Sequence, residues 1–214
     1  LLMAGGAITA DTNTGFILIG DAMAGNGIAL NSATSLTAGN LSATGGDITT
    51  TSVDNTLTGT QTADTGSITG TVTGAGSAYR SGALTTTPGA GNISVTSTGT
   101  ATIAGYSSGG TANVQSSTGN VAITANSTSV GAGTLTATQG SVFATDTGTL
   151  GGAGVSVDTT GAGSLLDIDA GVFIKTGDLS SGGAIETDSV ARDTTTGTQM
   201  AALSITGNSG RAYT

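Results

Sequence analysis

The sequence predicts an all-β protein, a parallel β-helix or solenoid with roughly 20 residues per coil and three short strands in each coil. Three observations carry this reading. Isoleucine recurs at Ile8, Ile28, Ile48 and Ile68, always at the same interval. Apolar and polar residues alternate around these positions, as strands require. The composition also suits a narrow stacked coil: 38 Gly, 1 Pro, 3 % aromatic and 8 % charged residues, against about 25 % charged in an ordinary soluble domain. Scarce charge and abundant glycine describe disordered chains too. The ordered return of Ile, Val and Leu argues against disorder, because periodicity is the stronger signal.

The elements follow in order. Coils open at Gly6-Ala7-Ile8-Thr9, Asn26-Gly27-Ile28-Ala29, Gly46-Asp47-Ile48-Thr49 and Gly66-Ser67-Ile68-Thr69. Ile28 and Leu30 face one way, Ala29 and Asn31 the other. A second apolar stop falls at Ile17, Leu36 and Leu57, and a third near Met23, Leu41 and Ala63. Gly and Asn mark the corners, where their tolerance of unusual backbone angles is useful. Regular coils span residues 6–85, and Thr86-Thr87-Pro88-Gly89-Ala90 (residues 86–90) reads as an inserted turn. The repeat resumes at Ile93, Val121 and Val142. The interval lengthens from Ile68 to Ile93 and again to Val121, then returns close to its first value at Val142. Further apolar stops are Ile103, Val130, Leu135, Leu150 and Val155. The longest interval predicts a loop around Tyr106-Ser107-Ser108-Gly109-Gly110. Looser coils cover residues 91–190, where Val157, Leu165, Ile168, Val172, Ile174, Leu179 and Ile185 alternate without a unique register. Residues 191–214 form an irregular end, in which Arg192 to Gln199 reads as a loop and Met200 to Ile205 as a strand or a short helix. Residues 1–214 are read as one solenoid, a segment of a longer shaft.

Charge narrows the partners. The net charge is −9, from 13 acidic and 4 basic residues. Arg80, Lys175, Arg192 and Arg211 are scattered, so no basic patch exists to neutralise phosphates, and nucleic acid is excluded as a partner. An anionic membrane surface is equally unattractive. No apolar run approaches the roughly 20 residues of a membrane-spanning helix. Leu1 to Gly6 lacks the charged start of a signal peptide, so any export signal is expected outside this segment. The absence of Cys suits a chain that crosses a bacterial envelope unfolded, and suits the cytosol equally.

A recurring pattern, Gly-x-Ile/Val-x-Ile/Val/Leu followed by Ala/Thr-Gly-x-Leu, resembles the filamentous haemagglutinin family. The residues that carry it are Gly27-Ile28-Ala29-Leu30 with Ala38-Gly39-Asn40-Leu41, then Gly91-Asn92-Ile93-Ser94-Val95, then Gly119-Asn120-Val121-Ala122-Ile123 with Gly133-Thr134-Leu135. Those proteins are large two-partner-secreted bacterial exoproteins folded as right-handed parallel β-helices. The resemblance spans about residues 6–185 and is shared with autotransporter passengers and other surface fibres. It implies a secreted or cell-surface adhesin shaft, an outer-membrane transporter as export partner, and a host-cell, bacterial or polysaccharide surface as ligand. The Asn-Pro motifs of the family's secretion domain are absent here. The segment thus looks like shaft, continuing axially into further coils or into another copy.

Four candidate sites stand out. Asp167 and Asp169 share one strand face, a spacing that suits acid and base roles in a carbohydrate-active β-helix enzyme. No His or aromatic platform accompanies them, and a solvated face around an inward Ile168 is preferred. Calcium at Gly45-Gly46-Asp47 or along Gly151 to Asp158 lacks the tandem nonapeptides such sites need. Thr49, Thr51, Thr69 and Thr71 form Thr-x-Thr pairs that could order ice, but the array lapses at Ser94-Val95-Thr96, and Thr is simply a good outward strand residue. Asn40, Asn92 and Asn126 match the glycosylation pattern, which arises readily in such a composition. The sequence therefore assigns no catalytic, cofactor-binding or metal-binding residue. It favours a structural or adhesive role over an enzyme or a tailspike-like glycan binder.

Overall fold

The structure of the chain is a computed structural model. It describes residues 1–87, 91–123, 127–129, 133–139, 141–146, 149–151, 155–159, 165–170, 173–175, 178–189, 194–196 and 198–209. Among them every regular element is a strand and every pairing is parallel, forming a β-solenoid with three strands per coil of roughly 20 residues. The cause is geometric. One coil is too small to bury its own apolar side chains, and stacking a second about 4.8 Å away buries them.

The first face is a ten-stranded sheet. Ile8, Ile28, Ile48, Ile68 and Ile93 stand in one register column, and all are buried. Each contributes roughly 2 kcal/mol by leaving water. A second inward column runs Ala10, Leu30, Thr50, Gly70, Val95, Val114 and Leu135. The other two faces merge into one 18-stranded sheet, because Tyr79–Thr86 and Ala101–Ser108 run straight through the corner between them.

The register overturns several expectations. Leu57 is 50 % exposed, and Thr56 takes the inward place above Leu36. Met23 is likewise exposed at 47 %, with Ala22 and Ala24 inward. Register with the coil below decides which residue turns in, and that outranks hydropathy. No loop forms at Tyr106. It lies in a strand, 2 % exposed, stacked on Leu84. The coil that opens at Ile93 is short, since Ala112 already sits above Ile93. Val121 and Val142 do not continue the Ile93 column; they stack on Ala101 on the second face.

The extra residues of the long coil are also displaced. Ile68 stacks on Ile48 and Tyr79 on Thr56, yet the stretch from Ile68 to Tyr79 is longer than that from Ile48 to Thr56. Part of the insertion therefore falls at Thr73 to Ala78, a turn closed by Ser77 N donating to Gly74 O at 3.0 Å. Gly76 has φ +73° there, a conformation that other residues adopt at a cost. Thr86, expected in the inserted turn, ends a strand and is buried. Pro88, Gly89 and Ala90 lie outside the described residues. Within the expected irregular end, Gln199–Ala201 joins the first face and Ser204–Ser209 pairs with Ala184–Ser189.

Candidate functional site

Asp167 takes an outward, half-buried position on the second face, with Leu166 and Ile168 fully buried beside it. Asp169 occupies the alternate register position on the same strand. The stack adds what the sequence reading missed. Glu186 is the register partner of Asp167, and Asp188 that of Asp169. The two pairs have the same separation along the chain, close to one coil, and that was the available signal. Glu186 and Asp188 are exposed. Four acidic register positions thus form a two-by-two patch on neighbouring coils about 4.8 Å apart. Arg80 lies on the register line of Asp167, several coils away.

The calcium candidate at Asp47 has another duty. Its Oδ1 accepts a hydrogen bond from Ser67 N at 2.8 Å. Among the described residues no three acidic, His or Cys side chains converge to hold a metal ion. The second calcium candidate includes Gly152 to Gly154, which lie outside the described residues.

The glycosylation candidates resolve in the same way. Asn40 Oδ1 accepts from Thr60 N at 2.9 Å, and Asn92 Oδ1 accepts from Thr111 N at 2.9 Å. Asn126 lies outside the described residues. A single rule covers all three corners: the residue just before a strand uses its side-chain oxygen to accept the N–H of its equivalent in the next coil. Asp21 does so for Asn40, Asn55 for Ala78, Ser67 for Asn92 and Asn120 for Ser141. These corner N–H groups, turned away from the sheets, are satisfied in this way. The rule also explains the misplaced repeat, because Asn before an aliphatic residue marks any corner, not one face.

The Thr-x-Thr pairs do align. Thr49, Thr69 and Ser94 share one outward column of the first face, and Thr51, Thr71 and Thr96 the next. Ala29 and Asn31 interrupt the array on one side, Asn113 and Gln115 on the other.

The interior holds a polar layer, of which strand parity with Ile48 foretells only the inward Thr50. In the coil from Ile48 to Ala63, Thr50, Ser52, Thr56, Thr58 and Gln61 all point inward and are buried. Tyr79, from the next coil, is fully buried above them. Gln61 Nε2 donates to Tyr79 Oη at 2.7 Å and to Thr58 Oγ1 at 2.9 Å. Ser52 and Thr56 share a hydroxyl–hydroxyl bond of 2.8 Å. Burial pushes the Tyr79 phenol above its usual pKa, partly offset by Thr50, Gln61, Ser81 and Thr58 around it. Burial alone pushes Tyr106 up to about 12.

The fold and these ladders define the chain as a β-solenoid repeat protein. No known family, curated protein or experimentally determined structure matches it.

Proposed function

We propose that the chain is the shaft of a secreted bacterial adhesin or extracellular fibre of filamentous-haemagglutinin type, serving attachment or matrix formation. One observation carries this reading: a single register column runs through all ten strands of the first face, from Ala10 to Gln199. Ten rungs at about 4.8 Å give a stiff rod of roughly 45 Å. Its first-face exterior offers small polar side chains such as Thr49, Thr69 and Ser94. Such a surface suits length and repeated weak contacts to a cell or polysaccharide surface. On this reading the shaft is exported through an outer-membrane transporter and continues axially into further coils. Immunogold labelling of the intact source cells tests it: label on external fibres is expected, and label confined inside the cell overturns it. Beads coated with the chain should also bind cells or polysaccharide above an uncoated control.

A second reading is retained because of the register pair Asp167 and Glu186. The two residues sit on neighbouring strands about 4.8 Å apart at the backbone, and retaining glycosidases hold their paired carboxyl groups about 5–5.5 Å apart. This reading requires a polysaccharide cleaved by the chain and left intact by Asp167→Asn and Glu186→Gln. No product from a broad panel eliminates it.

A further inference from the structure

We propose that the core of the solenoid contains a built site for one buried water molecule, between Thr50, Gln61 and Ser81 beside the Tyr79 phenol. Three polar atoms there lack any partner: Thr50 Oγ1, Gln61 Oε1 and Ser81 Oγ. Thr50 and Gln61 are 0 % exposed, so bulk solvent does not reach them. All three residues border the Tyr79 hydroxyl, which already accepts from Gln61 Nε2 at 2.7 Å. Thr50 and Ser81 lie close enough to hold the phenol's pKa down, yet their hydroxyls make no well-aligned hydrogen bond.

Native cores leave few buried polar atoms unpaired, and ordered water is the usual partner where protein is not. The chemistry selects water. Gln61 Oε1 only accepts, while the hydroxyls of Thr50 and Ser81 each carry a proton to give. One water can donate to the amide oxygen and accept from a hydroxyl, which matches this set. Exchanging the amide oxygen and nitrogen of Gln61 still leaves one amide atom unpaired. A cation fits poorly, because the amide N–H groups of Gln61 point into the same cluster and no carboxylate balances the charge. Thr50 stands where the coil below carries the larger Leu30, and the space beside Gly70 above it is taken by the Tyr79 ring, so the room for water is what the shorter Thr50 side chain leaves.

Two measurements test the proposal. A crystal structure of the chain at a resolution that shows solvent should contain an ordered water within hydrogen-bond distance of Gln61 Oε1. A dry gap, or an ion in its place, overturns the proposal. In solution, oxygen-17 magnetic relaxation dispersion counts long-lived internal waters, and Gln61→Leu should lose one relative to wild type. Thr50→Val keeps the side-chain shape and Gln61, and should shorten the residence time of that same water. An unchanged dispersion profile in the folded variants overturns the site.

Discussion

The ring of Tyr79 occupies the space that a side chain at Gly70 would need: a β-carbon on Gly70 would collide with the Cε2 and Cζ atoms of that ring. The two residues lie on different faces of one coil. The Tyr79 ring enters this narrow interior where the facing column carries no side chain. Gly70→Ala should therefore destabilise the chain by about 1–3 kcal/mol through overpacking. Adding Tyr79→Leu should recover part of the loss, a coupling that a double-mutant cycle in urea would measure. Additive losses would show that the two residues do not share this space.

The first-face register makes a sharper contrast. Ile48 is buried between Ile28 and Ile68, whereas Thr49 faces outward and is half-buried. Ile48→Asp should cost several kcal/mol, about 3–5, because it places an unpaired charge in the stack. Thr49→Asp should stay within about 1 kcal/mol. Urea midpoints of the two variants provide the check, and equal damage would mean a register shifted by one residue.

Alkali should unfold this protein by way of its tyrosines. Tyr106 has its pKa raised from 10.0 to about 12, and that of Tyr79 is also raised. Below pH about 10 both folded and unfolded phenols are neutral, so no stability is lost. Above it the unfolded chain ionises first and releases protons, so stability falls as pH rises. Tyr106 alone should remove roughly 2–3 kcal/mol between pH about 10 and 12. Denaturant melts across that range should show the decline, and Tyr106→Phe should make it shallower. A flat profile would mean that neither phenol is excluded from water.

The corner ladders predict a local effect. Asn92→Ala leaves the Thr111 N–H without its acceptor. A cost of about 0.5–1.5 kcal/mol is expected. Hydrogen exchange should quicken at the Thr111 amide while the Val95 amide, inside a strand, keeps its protection. Loss of protection across both would indicate wider unfolding.

The terminal rungs predict association. Among the described residues, Leu2–Ala4 and Ser204–Ser209 each pair with a strand on one side only. Leu1, Leu18, Met200 and Leu203 are 64–80 % exposed near these rungs. Unpaired edges of this kind recruit further strands. Sedimentation of the isolated segment should show concentration-dependent end-to-end association, and a persistent monomer at high concentration would contradict axial continuation.

The sequence by itself determined the coil. Isoleucines at a constant interval from Ile8 to Ile68, flanked by alternation and glycine corners, admit little but stacked parallel strands. Ile28 over Ile48, an inward Thr50 and an inward Ile168 were all legible from period and parity. Only the tertiary structure decided which face each later segment occupies. Asn92 and Asn120 precede strands on different faces and look alike in sequence, because both perform the same corner hydrogen bond. Only stacking could show that Leu57 and Met23 turn outward, since their places are set by the coil beneath them. The acidic register positions around Asp167 and the buried polar layer under Tyr79 are likewise products of register. Each joins residues about one coil apart, and a solenoid makes neighbours of such residues only once the length of every coil is fixed. Those lengths vary, as the short step from Ile93 to Ala112 and the long one from Ile68 to Ile93 show.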